Sequence, residues 1–293
     1  MRQRVFYARS ECDAKLVGLI FESPDSERLR IIKDEGRSLA GFFETADGKA
    51  IFFKRTEARS WGRGIVERLL GSRARRALRG AALLERSGFC HPAPLAAAEL
   101  IEAGAVRRSL LLSERLTNAD SLSRSALGPN GERRSELARR RAIIRAVAAE
   151  VRRLHDAGLL SRDLQETNLM LREDRCGGFD LYFVDLEDFR KPLCLSRRRR
   201  LLNLVHLDRS AGRFLPRSDR LRFLKHYLGP RAGHDELLQA ARICIRLRAR
   251  IDCRKGRAAS ILPVRAGDRD ANSSRARRPS RVASGNRNHG NRA

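Results

Sequence analysis

The stretch from Glu136 to Asp185 constrains this chain more than any other part of it. Residues 136–154 carry apolar side chains at Leu137, Ile144, Val147, Val151 and Leu154. Those steps of three, four and seven trace one face of a helix. Gly158 follows as its stop, and the chain then turns through Ser161-Arg162-Asp163. Leu169-Met170-Leu171 reads as a short buried strand and Cys176-Gly177-Gly178 as a turn. Leu181 to Val184 reads as a second strand that ends on Asp185. A helix, a loop with an acid, and a hairpin ending in another acid make a rigid frame for two carboxylates. Asn168 joins them through a D-x-x-x-x-N spacing with Asp163.

That frame matches what phosphoryl transfer from ATP requires. One aspartate, Asp163, accepts or orients the proton of an acceptor hydroxyl. Asn168 and Asp185 bind magnesium against the nucleotide phosphates. An isolated D-x-x-x-x-N more often caps a helix or makes a turn. Here the preceding L-H-x-x-G helix end and the strand-end acid favour chemistry. His155, in that helix end, reads as a packing and hydrogen-bonding residue beneath the loop.

The first part of the chain reads as strands: LRIIK, SLAGFFET, a turn at Ala46-Asp47-Gly48, then KAIFFKR. Lys54 ends the apolar run Ala50-Ile51-Phe52-Phe53, where kinase strands of the V-A-I-K type carry their phosphate-binding lysine. A flexible point charge suits that task. The alternative for Lys54 is a solvated strand-end lysine. Its expected carboxylate partner is Glu85, with Glu67 a second choice; both are equally readable as exposed helix charges. No G-x-G-x-x-G loop is present, and Gly36 and Gly41 are the nearest candidates. Ser161 stands where H-R-D loops have histidine, and Gln165 where protein kinases have lysine. The stretch after Asp185, LEDFRKPLCLSRRRR, has neither the D-F-G glycine nor A-P-E.

Over residues 28 to about 230 the chain resembles the lipopolysaccharide core kinases of the Kdo/WaaP type. The resemblance is carried by IIKDEGRSLAGFFETADGKAIFFKR, by SRARRALRGAALLERSGFCHPAPLAAAE with its G-x-x-x-P-x-P-L-A phrase (Gly88 to Ala96), by LLLSERL, and by the acid-bearing segment. It implies an α+β, two-lobed protein-kinase-like fold with a small antiparallel β lobe and a mainly helical second lobe. It implies ATP and Mg2+ as cofactors, and transfer to a heptose or Kdo sugar of the lipid A–core glycolipid. Glu114, in LLLSERL, falls where backbone groups meet adenine in such folds. Two rivals stay open. One is a catalytically silent kinase-like protein that binds anionic glycolipid or membrane. The other is a small-molecule phosphotransferase, although those enzymes present acidic pockets that this basic chain does not suggest.

The expected organisation is an N-terminal extension (1–27), an N-lobe that roofs the nucleotide (28–117), a helical lobe with the catalytic loop (118–253), and a basic tail (254–293). In the helical lobe, one helix begins at Arg200, a second runs Asp219–Leu228 behind a Ser218 cap, and a third covers 235–251. Of 293 residues, 42% are hydrophobic, enough for a core. No apolar run reaches the roughly 18 residues of a membrane span, and the start lacks the apolar region of a secretory signal. Six scattered cysteines read as reduced cytosolic thiols.

The net charge is +27. The tail holds eleven Lys/Arg and two Asp, so +9 belongs to it and 27 − 9 = +18 to the rest. The tail's composition is expected to be disordered. Such charge attracts polyanions, and nucleic acid could bind through the tail alone. Only 5% of residues are aromatic, which gives little stacking surface for nucleic acid. The expected partner is therefore lipid A–core glycolipid, with the protein cytoplasmic and peripheral at the anionic inner face of the inner membrane.

Overall fold

Alternation decides the first lobe. Leu39, Gly41 and Phe43 face one way along one stretch, Ile51 and Phe53 along the next, and all five are buried. A computed structural model describes residues 2–22, 29–45, 48–127, 133–174 and 177–261. Its elements begin β1 (Arg2–Ala8), α1 (Glu11–Glu22), β2 (Leu29–Asp34), β3 (Ser38–Glu44), β4 (Ala50–Glu57), α2 (Trp61–Leu70), α3 (Arg73–Arg86), β5 (Pro94–Glu102) and β6 (Ala105–Glu114). The six strands form one sheet in the order β1-β5-β6-β4-β3-β2, with each neighbouring pair antiparallel. Thr45 N donates to Lys49 O at 2.8 Å and closes the β3–β4 hairpin. Ala46 and Asp47 of its expected turn lie outside the described residues.

The stretch expected to be an extension is part of this lobe. β1 pairs with β5 as an edge strand, from Arg2 opposite Ile101 to Ala8 opposite Ala96. Val17, Ile20 and Phe21 of α1 pack with Phe43, Phe53, Leu110 and Leu112 in one core cluster. The sequence hid this because β1 is an edge strand with most of its side chains exposed, so it shows no apolar alternation.

The second part runs through β7 (Ala119–Ser121), α4 (Leu122–Leu127), α5 (Arg133–Asp156), β8 (Leu160–Ser161), β9 (Leu169–Glu173), β10 (Phe179–Phe183), β11 (Phe189–Arg190), α6 (Arg197–Ala211), α7 (Arg217–Leu228) and α8 (His234–Ile261). The fold is α+β, an antiparallel β lobe followed by a mainly helical one. Ile144, Val147, Val151 and Leu154 on α5 are buried as the period requires, while Leu137 at its start is exposed. Gly158 takes a left-handed φ of 76° just past the helix end, a backbone that glycine adopts without strain.

Three helix ends differ from expectation, the first being α6, which starts at Arg197 behind a Ser196 cap, three residues before Arg200. α7 starts behind Pro216, with no side-chain cap, so Ser218 lies inside its first turn. α8 continues to Ile261, so residues 254–261 are helical where the tail was expected to begin. The chain divides into two units, Met1–Arg248 and Ala249–Ala293. The fold and site discussed below belong to the first. Among the described residues, no helix is long and apolar enough to cross a membrane.

Candidate active site

The loop after α5 is built to hold one carboxylate. Asp163 N donates to Ser161 Oγ at 3.3 Å. Asn168 Nδ2 donates to Asp163 O at 2.9 Å and to its Oδ2 at 3.3 Å. Gln165 Nε2 donates to the other carboxylate oxygen, Oδ1. Both oxygens of Asp163 are thus oriented by neutral amides, and among the described residues no ion pair is made to them. Asn203 Nδ2 on α6 donates to Ser161 O at 2.5 Å and fixes the loop from below.

His155 supports that anchor and takes no part in the loop itself. It is fully buried, between Tyr227 OH (2.8 Å from Nδ1) and Asn203 Oδ1 (3.0 Å from Nε2). Burial pushes its imidazole down to about 4, so it is neutral at physiological pH. A hydrogen-bonded chain thus runs from Tyr227 through His155 and Asn203 to Ser161 beneath the loop.

The β9–β10 hairpin brings the second acid to this loop. Phe183 pairs with Leu169, and Val184 N donates to Asn168 O at 3.0 Å. Asp185 follows at once. It adopts φ 58° and ψ 63°, a left-handed backbone uncommon for a residue with a side chain and often found at functional sites. The first lobe meets it there, with Lys54 Nζ on β4 standing 2.6 Å from Asp185 Oδ1. Arg162 N donates to Asp188 O at 3.0 Å, and β11 pairs with β8. The segment after Asp185 is therefore stitched back to the loop before Asp163.

Lys54 has a partner the sequence reading did not name. Glu187, two residues past Asp185, lies 3.6 Å from Lys54 Nζ, 3.3 Å from Arg73 and 3.7 Å from Arg76. Burial pushes its carboxyl up, while Lys54 pulls it down and Asp185 pushes again. The expected partner Glu85 is exposed on α3 and makes no pair with Lys54. Glu67 is buried on α2 and lies 3.8 Å from Arg63. The physical reason is a reversal of sign: the helix supplies cations and the strand-end segment supplies the carboxylate. Gly80 lets α3 come this close, since a Cβ there would run into Leu186 O. A glycine in the middle of a helix was the available signal. Another α3 cation, Arg75, is committed elsewhere through a bidentate pair with buried Glu99 at 2.8 and 3.1 Å.

The remaining expected positions are less complete. Glu114 ends β6 with its N–H donating to Ala93 O at 2.9 Å and its side chain 3.0 Å from Arg9. It marks the junction of the lobes without offering a free N–H. Gly36, with φ 69°, sits in the β2–β3 turn, where its N–H donates to Asp34 Oδ1 at 2.8 Å. Gly41 lies within β3, where a Cβ would meet Arg30 O, so it serves strand packing. An apolar cavity of about 640 Å³ lies among the helices, lined by Leu122, Ile144, Val147, Phe214, Leu224 and Ile245 among others, and none of the site residues borders it.

The donors present suit magnesium. It favours oxygen ligands and takes one or two carboxylates together with phosphate oxygens. Asn168 spends its Nδ2 on Asp163, which leaves its Oδ1 as the oxygen to offer. Among the described residues no cluster of three or more His, Cys, Asp or Glu could hold a metal by itself, so nucleotide phosphates would have to complete the shell.

Comparison with known proteins bears on the family and the fold. A family model described as the lipopolysaccharide kinase (Kdo/WaaP) family matches residues 27–227. A solved structure of WaaP in complex with acyl carrier protein is similar with a TM-score of 0.59 and 24% identity, covering 84% of this chain and 99% of that one. The Rio2 kinase–ADP/Mg2+–phosphoaspartate complex from Chaetomium thermophilum follows at a TM-score of 0.47 and 15% identity, covering 85% of this chain and 78% of that one. No curated protein sequence matches.

Proposed function

The chain belongs to the lipopolysaccharide kinase (Kdo/WaaP) family, and on that premise we propose that it transfers phosphate from ATP, with Mg2+, to a heptose or Kdo hydroxyl of lipopolysaccharide core. The observation that carries this reading is the joining of the Asp163–Asn168 loop to Asp185 and Lys54 across the two lobes.

Each residue has a task its surroundings fit. Asp163, oriented by Gln165 and Asn168, accepts the proton of the attacking sugar hydroxyl or aligns it, an effect realised mainly in the transition state. Lys54 neutralises phosphate charge. Asp185 and Asn168 would hold the magnesium, which when bound screens the charge on the phosphates. Glu187, fixed by Arg73 and Arg76, is a second carboxylate partner for Lys54. Ser161 replaces a histidine whose work is structural, and the Tyr227–His155–Asn203 chain supplies that support.

The charge of +27 supports a polyanionic substrate at an anionic membrane surface. The test is transfer of labelled phosphate from ATP to purified core oligosaccharide with and without magnesium, together with mass spectrometry of lipopolysaccharide from cells with and without the protein. A phosphate-sized mass difference and magnesium-dependent transfer are expected. Nucleotide binding without transfer to any core sugar would overturn the reading in favour of a silent binding protein.

A further inference from the structure

Helix α2 is amphipathic the wrong way round. Its inner face is Gly64 and Glu67, both buried. Gly64 lies so close to β6 that a Cβ would meet Val106 O. Its outer face is apolar: Leu69 is 78% exposed, Leu70 68%, Trp61 54% and Val66 39%. At 100° per residue, Trp61, Ile65, Leu69, Val66 and Leu70 fill about half the helix circumference with no charge among them. Arg68 borders that arc on one side and Arg63 on the other, and both are exposed, as is Arg59 just before the helix.

The sequence had the means to bury this helix in the usual sense and did not. Single exposed apolar residues are ordinary, whereas four on one short helix mark a contact surface. An apolar stripe edged by arginines, with a tryptophan at one end, is the pattern of a helix that lies in a membrane interface. Arg68 also donates to Gly104 O at 3.2 Å, Arg63 lies 3.8 Å from Glu67 and the Trp61 indole N–H donates to Ala103 O at 3.3 Å. The arginines' remaining N–H groups then meet lipid phosphates, and the indole ring lies at headgroup level.

We propose that the outer face of α2 is a membrane-docking surface and that its occupant is an anionic phospholipid bilayer. This rests on the reading that the substrate is a membrane glycolipid. Only Gly71 and Ser72 separate α2 from α3, whose Arg73 and Arg76 hold Glu187. The docking face is therefore one short joint away from a helix that touches the site.

Trp61 is the chain's single tryptophan, so its fluorescence reports on this face alone. The experiment titrates the full-length protein with phosphatidylcholine vesicles, with and without phosphatidylglycerol. It follows Trp61 emission, acrylamide quenching and co-sedimentation. With phosphatidylglycerol, emission shifts to the blue and quenching falls. The Val66→Glu/Leu69→Glu double variant, altered only at exposed positions, loses the shift and binds vesicles about tenfold or more weakly. Its transfer to water-soluble core oligosaccharide stays at the wild-type level, so loss of docking and loss of catalysis read out separately. Co-sedimentation without a Trp61 shift would overturn the proposal by placing the contact elsewhere. A lipid-free shift that grows with protein concentration would overturn it in favour of a second copy of the chain. Loss of transfer to soluble oligosaccharide in the variant would assign α2 to the site itself.

Discussion

The catalytic loop and helix α3 both hold the segment around Asp185, and they do so in different chemical languages. The loop reaches it at Val184, through a backbone bond to Asn168 and a set of neutral amides around Asp163. The helix reaches it at Leu186 and Glu187, through a glycine contact and two arginines. In the proposed reaction the loop needs the residue types that phosphoryl transfer demands, because Asp163 would meet the reacting hydroxyl. The helix has only to hold Lys54 in place. That task needs a carboxylate near the ammonium and does not prescribe which element brings it. Chemistry fixes the first region, whereas the second has more than one electrostatic solution.

The largest test of this contrast is Asp163→Asn. Phosphoryl transfer should fall by about 10² to 10⁴, while nucleotide affinity by titration stays close to wild type. Wild-type turnover on core oligosaccharide would remove the catalytic role from the loop.

The support beneath the loop is tested by pH. His155 takes its proton at about 4 in the folded protein against 6.5 in the open chain. Between those values the unfolded chain binds the extra proton. Stability is therefore full above pH 6.5 and declines as pH falls toward 4, by about 3 kcal/mol in all. Urea unfolding at several pH values should show that slope, and His155→Gln should flatten it. An equal slope in both proteins would mean that other groups carry the acid sensitivity.

Gly80→Ala addresses the helix. Ordinarily Ala favours a helix by about 1 kcal/mol over Gly. Here its Cβ would collide with Leu186 O, and overpacking costs about 1–3 kcal/mol. The expected result is a lowered thermal midpoint together with reduced turnover; a stabilised, fully active variant would show that α3 does not need this close approach.

The smallest effect sharpens the sign reversal. Glu187→Gln should raise the KM for ATP about tenfold, the scale of one hydrogen bond to a charged group, and Glu85→Gln should leave it unchanged. The opposite ranking would restore the helix as the source of the carboxylate.

What the sequence revealed follows the same division. The α5 helix, the β9–β10 hairpin and the proposed site residues Asp163, Asn168, Asp185 and Lys54, which the structure brings together, each sit in a local pattern of period or spacing. Glu187 was in plain view two residues from Asp185, but its role depends on a contact with Lys54 across 133 positions (187 − 54) that no local pattern encodes. Glu85 was favoured because the usual arrangement puts the carboxylate on the helix. β1 was missed since an edge strand needs no buried face, and α2 shows how an amphipathic pattern gives the polarity of a helix without saying which side faces the core.

β1 also has a consequence for how the chain is made. Ala8 pairs with Ala96, so a strand synthesised early waits for a partner about ninety residues later, the kind of non-local pairing that slows folding. Until β5 arrives, β1 has no neighbour in the sheet, and its free edge is open to strands of other nascent chains. Arg2 and Arg4 punctuate that edge, and like charges on neighbouring copies repel. The same positive charge thus also keeps unfinished copies apart.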